Sequence, residues 1–384
     1  MLINLAFKLL GLRGAPRDPL CGERLPNPSV QVGGIMAHFM MLPDRIATVD
    51  ELEELLSTPY PETIRDLGEV NGDLMVLGAG GKIGPSLVMT AAKAVRLGGL
   101  RKKVIAVSRF SKGDELVGRL RELGVEVVRA DLSREEDVAK LPDAENIIFM
   151  VGRKFGTSNE PELTWITNTY IPALVARRFP RSRFVIFSTG NVYPLVPIYT
   201  GGATEDTRTG PIGEYAWAAL ARERVFSYFF RVNGNKAVFV RLNYANELRY
   251  GVLLDIALKV AKGEPIDLTM GYVNVIWQGD VNNIVLRSLK HASNPPLILN
   301  VTGPETVSVR WVAEEFGRLL GKEPIFTGKE ADTALLSNAA KAFELFGYPR
   351  VTLRHMIKWI ADWVSSGKPI YNLPTHYEVR TGEY

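Results

Sequence analysis

From residue 74 onward, short unbroken apolar runs alternate with longer stretches in which apolar residues recur every three or four positions. The runs have the length of buried strands and the stretches have the period of amphipathic helices. Leu74-Met-Val-Leu77 is the first strand, followed by a helical pattern through Leu87, Val88, Ala91, Ala92, Ala94 and Val95. Lys103–Ser108 is the next strand, then a helix over 113–123 that Gly124 stops. Val125–Ala130 is a third strand, ended by Asp131-Leu132, and Ser133 is expected to cap the helix after it. Asn146–Val151, Arg183–Ser188 and Ala237–Leu242 read as further strands. Between them lie helices over 162–178, with Pro172 inside, and 213–232. Upstream, Thr48 is an N-cap before the acidic first turn of a short helix. Strands alternating with helices predict parallel pairing in a doubly wound α/β sheet. Ligands then bind at the carboxyl ends of the strands.

The connection between the first strand and its helix is unusual. It reads Val76-Leu-Gly78-Ala-Gly80-Gly81-Lys82-Ile83-Gly84-Pro85. Glycine permits positive φ and lets backbone N–H groups approach a ligand closely. Proline suits the first turn of a helix. Strand, glycine turn and helix together make a pyrophosphate site facing a helix N-terminus, and this is the context that turns a glycine pattern into a dinucleotide site. The bland alternative is a tight β–α turn with no ligand.

Composition narrows the classes. The chain has 384 residues, 46 of them basic and 42 acidic, for a net charge of +4. That balance, with no basic stripe interleaved with aromatics, argues against nucleic acid as a partner. Cys21 is the single cysteine, which excludes an intrachain disulfide and fits a reducing, cytoplasmic setting. The four histidines are scattered, so no metal site is expected. The apolar stretch 1–12 is interrupted by Lys8 and falls short of the ~20 residues that span a bilayer. It lacks the marks of a signal peptide. Residues 13–34, rich in Arg, Pro and Gly, read as loop. This amino-terminal stretch is either a poorly ordered extension ahead of a start at Met36, Met40 or Met41, or an arm packing on a partner subunit.

Several strand ends resemble those of one family. Gly78-x-x-Gly81-x-x-Gly84, Asp131-Leu132, Ser188-Thr189-x-x-Val192-Tyr193 and Tyr215 followed by Glu223 are similar to the extended short-chain dehydrogenase/reductases, the NAD-dependent epimerase/dehydratase group. Asn168, Trp277-Gln-Gly-Asp280-Val281, Asn300–Val309 and Phe346–Leu353 extend the likeness over about residues 72–366. The resemblance implies a Rossmann-like fold with a smaller C-terminal α/β substrate-binding portion. The expected division is an arm and leading helix over 1–70, a dinucleotide-binding domain over 71–245 joined by about 273–304, a substrate portion over 246–366 and a tail over 367–384. It also implies hydride transfer at a hydroxyl or keto carbon of a sugar or nucleotide sugar, and a homodimer through two helices. By the same likeness Asp131, Leu132, Val151, Gly152, Asn168 and Tyr244 border the dinucleotide beside the glycine turn. Asn191, Tyr193, Asn243 and Trp277 line the substrate pocket, with Phe155, Trp165, Asn246 and Arg249 as further walls.

The second strand bears on cofactor choice. An acidic residue at its end would favour NAD. Here Ser108-Arg109 follows it, with Ser111 and Lys112 close behind. A hydroxyl and a guanidinium suit a 2′-phosphate, which predicts NADP, with NAD as the other option.

The catalytic positions depart from the family. Tyr215 fits the proton-transferring tyrosine and Thr189 the hydroxyl that steadies the substrate oxygen. The family's lysine four residues beyond the tyrosine is Ala219 in this chain. A free tyrosine ionises near pH 10, so a replacement cation is needed. Lys154, in the loop that borders the nicotinamide in the family, is preferred over Arg222, which lies one turn past Ala219. The family's dehydratases carry an Asp-Glu pair where this chain has Gly190-Asn191, and asparagine cannot exchange a proton. Dehydration is therefore disfavoured against epimerisation or reduction. The alternative is a degenerate NADP-binding sensor or scaffold. The polar, aromatic tail around Pro374–Arg380 is expected either over the cleft or on a neighbouring subunit.

Overall fold

A computed structural model describes residues 42–111, 113–154, 156 and 159–383. The expectations for the amino-terminal arm, Lys112 and Phe155 lie outside the described residues. One compact unit begins at Arg45 and contains all that follows.

Helix α1 (Val49–Leu56) starts as the sequence predicts, the Thr48 hydroxyl accepting from Glu51 N–H at 3.1 Å. A second short helix not read from the sequence, α2 (Pro61–Gly68), opens on a proline. The central sheet follows as β1 (Leu74–Leu77), α3 (Gly84–Leu97), β2 (Val104–Ser108), α4 (Glu115–Glu122), β3 (Glu126–Arg129), α5 (Glu135–Ala139) and β4 (Asn146–Phe149). Then come α6 (Pro161–Trp165), a π turn (Ile166–Tyr170), α7 (Ile171–Arg178), β5 (Arg183–Thr189), α8 (Glu214–Asn233) and β6 (Ala237–Leu242). After α9 (Val252–Lys262) and α10 (Gln278–Ser288), β7 (Leu297–Val301) closes the sheet. The order is β7-β6-β5-β4-β1-β2-β3, seven strands all parallel. This is the Rossmann-like doubly wound sheet, and its order reverses between β1 and β4. Helices α11 (Val309–Leu320), α12 (Ala340–Phe346) and α13 (Leu353–Ser365) complete the carboxyl-terminal portion with short strand pairs.

Period-two alternation within each apolar run sends side chains to both faces. Leu74, Val76, Val104, Ala106 and Ile148 enter the core shared with α3 and α10. Met75, Leu77, Ile105, Val107, Ile147 and Phe149 enter the core shared with α7 and α8. In that second core Phe226 stands 5.0 Å from Phe149 and Phe230 4.9 Å from Phe184. These i, i+4 anchors pin α8 by its carboxyl-terminal half. Its amino-terminal half, with Tyr215 and Arg222, is thereby held over the sheet's carboxyl edge.

Two local expectations change. The helix over 162–178 is interrupted, and Ile171 N–H bonds Ile166 C=O, one residue further than an α-helix allows. The adjacent Pro172 has no N–H to give and crowds the turn before it, and a π bulge accommodates both effects. Ser133 does not cap α5. Its N–H and hydroxyl both donate to Asp131 Oδ1, at 3.0 and 2.7 Å, and Arg134 occupies the cap position without a side-chain bond.

Candidate active site

The glycine turn is held by the neighbouring strand. Gly78 and Ala79 N–H donate to Val107 C=O at 2.9 and 3.1 Å, and Gly81 N–H to Gly78 C=O at 3.0 Å. Gly78 has φ +92°, and a Cβ there would lie 3.1 Å from the Met150 and Val151 backbone. A Cβ at Gly84 would collide with the Ala79 carbonyl. Backbone proximity, rather than flexibility, demands glycine at these two places.

A cavity of about 950 Å³ extends from this turn across the ends of β2, β3 and β4. Gly78, Gly80, Gly81, Lys82, Ser108, Arg109, Asp131, Leu132, Val151, Gly152 and Lys154 stand on its walls. A second cavity of about 320 Å³ shares the glycine turn, Gly152 and Lys154, and continues to Ile83, Thr189, Asn191, Tyr215, Asn243 and Tyr244. Together the two volumes have the size of an extended ligand plus a smaller one.

Charge is distributed unevenly along this cleft. Hydrogen bonds from Ser133 hold the Asp131 carboxyl below the usual range, with Arg109 adding a favourable charge. Burial pushes Lys82 and Lys154 each down to about 8, and nearby carboxylates only partly offset it. Lys82 Nζ lies 4.4 Å from the centre of the Tyr250 ring. Lys154 Nζ donates to Thr375 C=O at 3.1 Å.

Thr189 caps the 3₁₀ turn Gly190–Val192. Its hydroxyl accepts from Asn191 N–H at 3.2 Å and donates to Asn191 Oδ1 at 3.0 Å. Arg222, which the sequence ranks second, is on the cavity wall while 96% of its surface is removed from solvent, being only 4% exposed. Its Nη1 donates to Phe187 C=O at 2.5 Å and its Nη2 to Asn168 Oδ1. A Cβ at Gly152 would stand 2.6 Å from that Nη2, so a glycine there makes room for the guanidinium. Burial lowers Arg222 from its usual value, and the charges of Tyr215 and Glu223 act in the opposite direction. Helical side chains lean toward the helix N-terminus, so an arginine at 222 reaches back toward Tyr215. Ala219 is fully buried among Val192, Leu220 and Leu336.

Six residues expected in the site are not on either cavity wall. Asn168 is buried behind it, with Nδ2 donating to Thr164 C=O at 2.8 Å and Oδ1 taken by Arg222. Tyr193 is 1% exposed, and its hydroxyl accepts from Arg241 at 2.9 Å and donates to Asn300 at 2.8 Å. A phenol committed at both ends is part of the core network. Trp277 packs edge-on against Trp359 at 5.4 Å, in the junction where Asp280 accepts from Tyr60 at 2.7 Å. Trp165 instead donates to Glu214 at 2.6 Å, and Asn246 and Arg249 are buried in local bonds. The residues that sequence reading missed are Tyr250, Gly251, Val252, Tyr371 and Leu373, while Thr375 puts the tail over the cleft, one of the two places expected for it. A tail without periodicity offers no signal of where it docks.

Beneath the Thr189 turn lies a buried polar network. Arg241 donates to both oxygens of Glu223, at 2.9 and 2.7 Å. Ser188 donates to Glu223 Oε1 at 2.5 Å. The pair holds the ends of β5 and β6 against α8, which also carries Tyr215.

A parallel sheet with its glycine turn and cleft at the switch point defines a dinucleotide-binding α/β protein. The model of the NAD dependent epimerase/dehydratase family matches residues 74–293, more than half of the chain, and the chain belongs to that family. No curated protein matches it. Among solved structures it is similar to the UDP-glucose 4-epimerase of Thermotoga maritima with UDP-glucose, at 18% identity and TM-score 0.62, covering 77% of this chain and 99% of that one. The Thermus thermophilus UDP-glucose 4-epimerase in complex with NAD matches at 21% identity and TM-score 0.60, covering 76% and 98%. The Bacillus anthracis dTDP-glucose 4,6-dehydratase in complex with NAD matches at 17% and 0.63, covering 77% and 96%. These likenesses show the fold.

Proposed function

We propose that the protein is an NADP-dependent epimerase or oxidoreductase acting on a hydroxyl or keto carbon of a sugar or nucleotide sugar. The observation that carries this reading is one continuous cleft with the glycine turn and Ser108-Arg109 at one end and Thr189 and Tyr215 at the other. A bound nicotinamide dinucleotide supplies the acceptor or donor of hydride. The glycine turn and Lys82 hold its phosphates, and Ser108 and Arg109 hold a 2′-phosphate. Tyr215 takes the hydroxyl proton as the carbinol carbon is oxidised and returns it on reduction. The Thr189 hydroxyl and Asn191 fix the substrate oxygen. Lys154 and Arg222 supply the positive charge that Ala219 cannot, and their place with Tyr215 on the wall of one cavity supports them in that role. Asn243 and Tyr244 shape the pocket around the reacting ring.

Ala219 also favours a second reading, in which the nucleotide binds and no turnover follows. Mixing the purified protein with NADP or NAD and a panel of sugars, and following reduced nicotinamide absorbance, separates the two. Turnover that Tyr215→Phe abolishes supports the enzyme, binding alone supports a sensor, and absence of any nucleotide binding sinks both.

The exposed Trp217, Tyr228 and Val232 of α8 and Leu163, Ile166 and Tyr170 of the helix before β5 form an apolar face that fits a homodimer. Light scattering tests it. Among the described residues no helix is long and apolar enough to cross a membrane. A cytoplasmic location is part of the same reading, and fractionation checks it.

A further inference from the structure

The carboxyl-terminal tail lies beyond the residues that the family model matches, yet it forms one wall of the cleft. Tyr371 and Leu373 face the larger cavity, and Leu373 and Thr375 face the smaller one beside Tyr215. The segment is fastened on both sides of Leu373. Tyr371 N–H donates to Arg249 C=O at 3.1 Å, and its ring lies 4.8 Å from the Arg249 guanidinium. Thr375 donates from N–H and Oγ1 to Asp255 Oδ2 at 2.8 and 2.6 Å, and its carbonyl accepts from Lys154. Further on, Tyr377 is buried, and Arg380 donates to Thr333 C=O and Oγ1, each at 2.7 Å, and to Thr269 C=O at 3.1 Å. Leu373 sits between these anchors, 51% exposed. An apolar side chain held half-exposed at the mouth of a cavity gains burial when a ligand covers it.

Size and charge limit what that ligand is. The smaller cavity, about 320 Å³, is at the low end of small-molecule sites, and it must take the reacting ring of the cofactor as well as the substrate. The arginines fastening the wall are already committed. Arg249 bonds Glu247 at 3.1 Å and Glu53 at 3.0 Å, and Arg380 bonds the backbone and hydroxyl of Thr333. Of the cations lining this cavity, Arg222 is bonded to Phe187 and Asn168, and Lys82 and Lys154 serve the cofactor and the phenol in the reading above, so the diphosphate of a nucleotide sugar would have to compete for them.

We propose that Tyr371–Thr375 are the specificity-determining wall of the site, closing its substrate end so that a compact hydroxy or keto compound of monosaccharide size fits beside the cofactor and a nucleoside diphosphate sugar does not. This rests on the reading of the cleft as a dinucleotide-dependent hydride-transfer site. The wall has a fixed path because each neighbour of Leu373 is anchored to a different part of the fold, Tyr371 to the segment before α9, Thr375 to α9 itself and to the loop after β4.

The test uses the full chain and two opposite changes. Leu373→Gly with Thr375→Gly opens the wall, and Leu373→Trp thickens it while leaving the anchors in place. Binding of NADP, of free hexoses and hexuronic acids, and of UDP-glucose is measured by calorimetry, with the sugars titrated into the NADP-loaded protein. The wild type is expected to bind a free sugar at least tenfold more tightly than UDP-glucose. The opened variant should gain at least tenfold for UDP-glucose, and Leu373→Trp should lose at least tenfold for the free sugar. Equal affinity of the wild type and the opened variant for UDP-glucose overturns the proposal. If the opened variant does not fold, Leu373→Trp decides, and unchanged free-sugar affinity in it is equally fatal. Failure of the wild type to bind either NADP or NAD refutes the cofactor reading instead, so the two failures are distinguishable.

Discussion

The two ends of the cleft are built by different means. At the end with the glycine turn, one local stretch of chain sets the backbone. Strand β1, its glycine turn and α3 follow one another, Val107 C=O of β2 accepts two of the turn's N–H groups, and the ends of β2, β3 and β4 bring Ser108, Arg109, Asp131 and Lys154 to the wall. At the substrate end, Thr189, Tyr215, Tyr250 and Thr375 come from four separate parts of the chain. The elements that carry Thr189 and Tyr215 are joined by the Glu223–Arg241 pair, both side chains of which are under 5% exposed, and Thr375 is held by Asp255. A backbone site tolerates change in side chains but not added bulk at Gly78 or Gly84. A side-chain site depends on each partner remaining in place, because a buried charge without its partner is costly.

This contrast can be broken or sharpened experimentally. The largest effect is expected at the phenol. Tyr215→Phe should lower turnover by about 10²- to 10⁴-fold with cofactor affinity little changed, measured by steady-state kinetics and a binding titration. Next is the network beneath it. Glu223→Gln leaves the Arg241 guanidinium buried with a neutral partner, and a loss of about 3–5 kcal/mol in unfolding free energy should appear in urea melts. A loss under about 1 kcal/mol would mean that the substrate end does not depend on this pair. At the cofactor end, Arg109→Ser should cost NADP about 1.5–3 kcal/mol of binding and leave NAD nearly unaffected, measured by fluorescence of the reduced forms. Equal losses for both would assign Arg109 to the shared part of the nucleotide.

The smallest effect is that of pH. Burial lowers Lys82 and Lys154 from 10.5 to about 8, so both are mainly charged below that pH and lose their protons above it. Affinity for a phosphate-bearing cofactor should therefore fall several-fold as pH rises through about 8, less so at high salt. The stability contribution has the opposite sign. Between about 8 and 10.5 the unfolded chain binds more protons than the folded one, so these two lysines make unfolding harder as pH rises across that window. Affinity that is flat across the same range would remove Lys82 from the phosphate site.

Much of the cofactor end was legible because its signals are local. The apolar run 74–77, the spacing of Gly78, Gly81 and Gly84, and Pro85 all lie within one strand-turn-helix unit, and period and turn chemistry are properties of neighbouring residues. Tyr193 and Trp277 illustrate the reverse. Both follow recognisable motifs, yet Tyr193 turns inward because Arg241 and Asn300 satisfy its hydroxyl. Trp277 turns inward because Trp359, from the last helix, offers it an apolar partner. Asn168 is intermediate. Its position on a helix was readable, but the π turn that buries it against Arg222 arises from the strain ahead of Pro172.

The amino-acid order alone determined the alternation of strand and helix, the parallel sheet and the glycine turn, since each depends on residues a few positions apart. Only the folded chain decided which aromatics leave the pocket for the core and that the tail crosses the cleft. Those outcomes depend on contacts between segments as far apart as Lys154 and Thr375, where geometry rather than local preference selects the partner.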